Sequence, residues 1–231
     1  MLKTPIIMIN FKAYEQAIGD KGVQLAQICE MVSVKRNIPI AVAVQTADIY
    51  KMSHTVNIPV LAQHVDADEF GSHTGSDIAE DIEQNGAVGT LLNHSEHRMR
   101  IDVLEQSIDR AKKAGLATIV CANTPEIAEA VAVFSPDFIA VEPPELIGGT
   151  ISVSSAKPEV ITETVKLVRK VDKRIKILCG AGVHTAEDVR IALKLGTDGV
   201  LLASGITKAS DPASVLNELC DGIRKPLLKQ V

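Results

Sequence analysis

Eight short apolar runs, spread over the whole chain, constrain the fold more than any other feature. They are Pro5–Ile9, Pro39–Val44, Pro59–Gln63, Thr90–Asn93, Ala117–Ala122, Phe138–Val141, Lys176–Cys179 and Gly199–Ala203. Each is rich in Val, Ile and Leu with little alternation, the pattern of strands buried on both faces. Helix-like segments fill seven of the eight gaps. Pro158–Val171 is the clearest, with proline at its first position and apolar residues at helical spacing. Ile101–Ala114, stopped by Gly115, and Asp211–Leu228 read the same way, Thr46–Ser53 and Ser76–Gln84 predict shorter helices, and Val65–Gly75 predicts a long loop. Eight strand–helix units in 231 residues, with no GxGxxG and no Walker sequence, favour a closed barrel over an open doubly wound sheet. The expected fold is α/β: a single (β/α)8 barrel of eight parallel strands with outer helices, one domain over residues 1–231.

Hydrophobic residues make up 46% of the chain and aromatic residues only 3%, without Trp, so the core must be built from Val, Ile, Leu and Ala. The net charge is −5 and no basic run is interleaved with aromatics, which argues against a nucleic-acid partner. Cys29, Cys121, Cys179 and Cys220 are too far apart for CxxC chemistry and read as small core residues in a reducing compartment. The apolar stretch ending at Ile9 is too short for a signal peptide, and no 18-residue apolar run would span a membrane, so a cytoplasmic location is expected. Asn93-His94-Ser95 fits a glycosylation sequon by chance on this reading.

In a parallel barrel the C-terminal strand ends hold the chemistry. Polar residues there are Asn10 and Lys12 after strand one, Gln63 after three, Asn93, His94 and Glu96 after four, and Glu142 after six. Gly180-Ala181-Gly182 follows strand seven and Ser204-Gly205 follows strand eight, turns in which backbone N–H groups can approach a phosphate. A carboxylate with an imidazole donor suits proton abstraction next to a carbonyl. The segment Val141-Glu142-Pro143-Pro144-Glu145-Leu146-Ile147-Gly148 adds a stiff hinge, an apolar tip and a flexible far end, the design of a lid over a base.

Asn10-Phe11-Lys12, Asn93-His94-Ser95-Glu96 and Val141–Gly148 resemble the three signature segments of triosephosphate isomerases, and the short chain is similar to the archaeal branch. The likeness runs in register over essentially the whole chain. It implies a TIM barrel that interconverts dihydroxyacetone phosphate and D-glyceraldehyde 3-phosphate, a step of glycolysis and gluconeogenesis. Glu142 would move the proton through an enediolate, and His94 would polarise the carbonyl as a neutral imidazole, the pKa tuning that the resemblance implies. A helix-like turn at Ser95–Arg98 would disfavour imidazolium at His94. Lys12 would balance the substrate charge, Asn10 would hydrogen-bond substrate, and Glu96 would hold Lys12. Ile147, Gly148, Gly182, Ala203 and Ser204 match positions around the phosphate. No cofactor and no metal are implied. The long loop ending in His73-Thr74-Gly75 matches one that enters a neighbouring subunit, which implies a homo-oligomer, tetramer favoured and dimer possible.

Two departures stand out. Gly148-Gly149-Thr150 replaces the usual Gly-Thr-Gly, shifting a glycine of the far hinge, and His97 stands where relatives often carry Arg. Glu145 reads as a solvated lid charge, and His54, His64, His73, His97 and His184 need no special role. His94 and His97 beside Glu96 lack the HExxH spacing of a zinc site. The alternatives are another phosphate-binding barrel enzyme, or a non-catalytic barrel that binds a phosphorylated metabolite.

Overall fold

The structure, a computed structural model, describes residues 2–143 and 157–224; Pro144, Glu145, Leu146, Ile147, Gly148, Gly149 and Thr150, and with them the lid, lie outside the described residues. Eight parallel strands close into a barrel in sequence order, β8 returning to β1. They are β1 (Ile6–Asn10), β2 (Ile40–Val44), β3 (Val60–Ala62), β4 (Gly89–Leu92), β5 (Ala117–Ala122), β6 (Phe138–Val141), β7 (Lys176–Cys179) and β8 (Gly199–Leu202). The prolines predicted to open three of them fall just outside, since proline offers no N–H to the ladder.

Helices α1 (Gly19–Arg36), α2 (Ile49–Ser53), α3 (Ala79–Gln84), α4 (Ile101–Lys113), α5 (Pro125–Ala132), α6 (Pro158–Val171) and α7 (Ala186–Lys194) lie between the strands, and α8 (Ser204–Thr207) and α9 (Pro212–Arg224) follow β8. The loop after β3 is present as predicted. It is drawn together by Asp66, whose N–H donates to the Asp77 carbonyl at 2.9 Å while its carboxylate accepts the Asp77 N–H at 2.8 Å. The predicted turn after β4 is shorter than expected: Ser95 and Glu96 form a turn and His97 a bend, and α4 begins only at Ile101.

Two apolar layers hold the fold. One lies between strands and helices and includes Ile7, Ile9, Val42, Val60, Ile139 and Ile177. The other fills the barrel, with Ile6 and Met8 (β1), Ala41 and Ala43 (β2), Leu61 (β3), Leu91 (β4), Ile119 and Cys121 (β5), Phe138 and Ala140 (β6), Leu178 (β7) and Leu201 (β8). Side chains alternate across a strand. Two residues beyond each inward apolar residue, the inward phase therefore passes from floor to mouth. That rule places Asn10 above Met8, Gln45 above Ala43, Gln63 above Leu61, Glu142 above Ala140, Gly180 above Leu178 and Ala203 above Leu201. Among the described residues no helix is long and apolar enough to cross a membrane.

Candidate active site at the C-terminal mouth of the barrel

The strand phase delivers Glu142 to the centre of the mouth. It is only 5% exposed, and its N–H donates to the Ala122 carbonyl at 2.8 Å, carrying the β5–β6 ladder one step past the strand. One carboxylate oxygen, Oε2, is buried without a hydrogen-bond partner and lies 3.6 Å from His94 Nε2. That separation exceeds a hydrogen bond. Burial pushes the Glu142 carboxyl up to about 7, against a hydrogen bond from the Cys121 thiol and the charges of Lys12 and Arg98, which pull it down. A buried carboxyl poised there suits a base that must accept and return a proton near neutral pH.

His94 is held by the turn that follows it. The Glu96 N–H donates to His94 Nδ1 at 3.1 Å, and the His97 N–H to the His94 carbonyl at 2.8 Å. An amide can only donate, so Nδ1 is the acceptor and the proton of the neutral ring is on Nε2, facing Glu142. Burial first, then the charge of Lys12, hold the imidazole down at about 4, with Glu96 opposing. The ring is therefore neutral at physiological pH, a donor rather than a cation. The sequence reading reached the same protonation state through a helix end; burial produces it.

Lys12 Nζ donates to Glu96 Oε1 at 2.8 Å, and the Lys12 N–H to Asn10 Oδ1 at 2.9 Å. The ammonium is thus tethered at the rim, its side chain 12% exposed. The same open cleft is lined by Gly182, Ala203 and Ser204, together with Tyr14 and His184. Gly182 has φ +64°, a conformation that favours glycine. Ser204 opens the short helix α8, and the first amides of a helix have no partner within it. Asn10, Lys12, His94, Glu142, Gly182, Ala203 and Ser204 thus share one cleft and Glu96 stands beside it; Ile147 and Gly148 lie outside the described residues.

Several neighbours escaped the sequence reading. Gly180 reads in the sequence as part of a phosphate turn with Gly182, yet a Cβ on Gly180 would stand 2.5 Å from Glu142 Cγ, so its bareness makes room for the base. Cys121 is a buried core thiol as expected, but it also touches the carboxylate, and burial with that charge pushes the thiol up. Arg98 Nη1 donates to the Asn93 carbonyl at 3.3 Å. His97 stacks on His64 with ring centroids 4.1 Å apart. Counting strand phase two residues past the last inward apolar side chain would have marked both Gly180 and Gln45. Among the described residues no group of three or more His, Cys, Asp or Glu is placed to hold a metal ion.

A closed parallel barrel with a raised carboxyl, a neutral imidazole and an ammonium around one cleft belongs to the class of barrel enzymes that shift protons next to a carbonyl. Comparison with known proteins narrows the class. The family model for triosephosphate isomerase matches residues 5–221. The triosephosphate isomerase of Methanocaldococcus jannaschii is 50% identical over 214 residues, covering 93% of this chain and 98% of the relative. That of Methanobacterium bryantii is 46% identical over 221 residues, covering 96% and 98%. A crystal structure of triosephosphate isomerase from Bartonella henselae superposes with a TM-score of 0.74 at 20% identity, covering 96% of this chain and all of that one, which bears on the fold. The chain belongs to the triosephosphate isomerase family.

Proposed function

We propose that this chain interconverts dihydroxyacetone phosphate and D-glyceraldehyde 3-phosphate, as an intramolecular aldose–ketose isomerase of glycolysis and gluconeogenesis. Family membership supports the reaction, and one observation carries the mechanism: a buried, unpartnered carboxylate oxygen faces the donor nitrogen of a neutral imidazole. Substrate would lie against both groups, its reacting carbon at the Glu142 carboxylate and its carbonyl oxygen at His94 Nε2. Glu142 takes the proton from one carbon and returns it to the next, while His94 Nε2–H donates to the carbonyl oxygen as charge develops there. Lys12, held by Glu96, balances the phosphate and the enediolate, and Asn10 bonds substrate. The backbone at Gly182, Ala203 and Ser204 receives the phosphate, and Ile147 and Gly148 close over it. No cofactor takes part in this scheme.

The chain works as one domain in the cytoplasm. It assembles as a homo-oligomer, with a tetramer favoured and a dimer possible. The Asp66–Asp77 loop, the segment that would enter a neighbouring subunit, presents Phe70 with 69% of its surface exposed. Coupled turnover of glyceraldehyde 3-phosphate tests the reaction, and purified protein without turnover would reject it. Glu142→Gln should lose about two to four decades of kcat. Near-normal kcat there would move the base elsewhere. A native mass showing only monomer at assay concentration would reject assembly.

A further inference from the structure

Lys12 has φ +49°, in the left-handed region that a residue with a Cβ rarely adopts. The preceding backbone is anchored, since the Phe11 N–H donates to the Ala43 carbonyl at 2.9 Å and the Lys12 N–H to Asn10 Oδ1. The group left to fix the conformation of Lys12 is its own carbonyl, and two half-buried glutamine side chains converge on it. Gln63 Nε2 donates to the Lys12 carbonyl and to the Ala43 carbonyl, each at 3.1 Å. Gln45 Nε2 donates to the Lys12 carbonyl at 3.2 Å and to Gln63 Oε1 at 2.9 Å. Each amide nitrogen uses both hydrogens, and the Lys12 oxygen uses both lone pairs. Because main-chain carbonyls only accept, the orientation of the Gln63 amide is fixed, and with it that of Gln45.

We propose that Gln63, braced by Gln45, is a positioning residue that locks the left-handed backbone of Lys12 and thereby aims its ammonium into the mouth. The inference rests on the reading of Lys12 as the substrate-binding cation. A lysine stem has four flexible carbons, so Glu96 alone can tether the ammonium without setting where the stem begins. The backbone sets that origin. Were Lys12 to relax to an ordinary φ, its Cα–Cβ direction would change and the ammonium would leave the cleft. None of the four glutamine hydrogen bonds reaches an ionised group, so their influence on the reaction must pass through Lys12.

The test uses the full chain and glyceraldehyde 3-phosphate. Gln63→Glu is nearly isosteric but turns acceptors toward two carbonyl oxygens. It should raise KM about ten- to a hundredfold, the range expected when the displaced Lys12 ammonium loses its charged hydrogen bond to substrate, with a smaller change in kcat. Gln45→Met removes the brace alone and should shift KM in the same direction by less; it carries the test if Gln63→Glu does not fold. In a Lys12→Ala background both substitutions should have no further effect on kcat/KM, which a merely structural role would not produce. If Lys12→Ala itself keeps wild-type kinetics, the reading of Lys12 fails and the positioning role with it. If Lys12→Ala is impaired but the folded glutamine variants keep wild-type KM, or lose the same factor with and without Lys12, the positioning role alone is overturned.

Discussion

Gly180→Ala isolates the demand that the base places on its surroundings. A Cβ at Gly180 would lie 2.5 Å from Glu142 Cγ, 3.1 Å from Oε1 and 3.2 Å from Cδ. Carbon atoms in good contact sit about 3.5–4.0 Å apart, so something must move by about 1 Å. The main chain resists on both sides, because the Gly180 N–H donates to the Val141 carbonyl at 3.0 Å and the Glu142 N–H to the Ala122 carbonyl at 2.8 Å. The Glu142 side chain is the part free to yield. Displacing a reacting group by about 1 Å costs on the order of a hundredfold in rate. Coupled kinetics on Gly180→Ala should therefore show kcat down by about that factor with KM little changed. Gly182→Ala is the control, since Gly182 has φ +64° and lies at the proposed phosphate site, so its loss should fall mainly on KM. Wild-type kcat in a folded Gly180→Ala variant, with Glu142 unmoved in its crystal structure, would refute the reasoning.

Glu96→Gln removes the charge that tethers Lys12 at 2.8 Å. The Glu96 side chain is 58% exposed, so unfolding in urea should change by less than about 1 kcal/mol while KM for glyceraldehyde 3-phosphate rises. The pH profile of kcat/KM should rise through an apparent pKa near 7 as Glu142 ionises, with no acid limb from His94 until about pH 4. A profile flat between pH 5 and 8 would contradict the buried base.

Strand number, order and closure were legible because the strands are buried on both faces along most of their length and are therefore mostly apolar. Helix ends were less so. Arg100, which precedes α4, makes no side-chain cap, so nothing local marks where that helix begins. The chemical groups Glu142, His94 and Lys12 were readable as polar residues at strand ends. Their supports were not. Gly180 looks like any turn glycine until Glu142 Cγ is seen beside it, and Cys121 looks like core filler until its thiol meets the carboxylate. Such contacts join the ends of the neighbouring strands β5, β6 and β7, and spacing along the chain does not encode which inward side chains meet at the same height.

Burial shifts the two central groups in opposite directions, and this has a consequence for stability. Glu142 goes from an ordinary 4.5 up to about 7 in the folded protein. Between those values the unfolded chain has released its proton and the folded chain has not. Stability from this group is full below pH 4.5 and is lost as pH rises to 7. The loss is on the order of 3 kcal/mol at about 1.4 kcal/mol per pH unit. His94 goes from 6.5 down to about 4, so the unfolded chain takes up a proton that the folded chain refuses, and stability is lost as pH falls through that span. From pH 4.5 to 6.5 the slopes are opposite and similar, and the wild-type protein should show little net dependence from this pair. Single variants unmask each half. In urea unfolding, Glu142→Gln should grow more stable, relative to wild type, as pH rises from 4.5 to 7, whereas His94→Gln should lose relative stability over the same interval. If both variants track the wild-type profile, burial does not set these two pKa values. The base and the donor would then owe their poise to something other than the dry floor on which they stand.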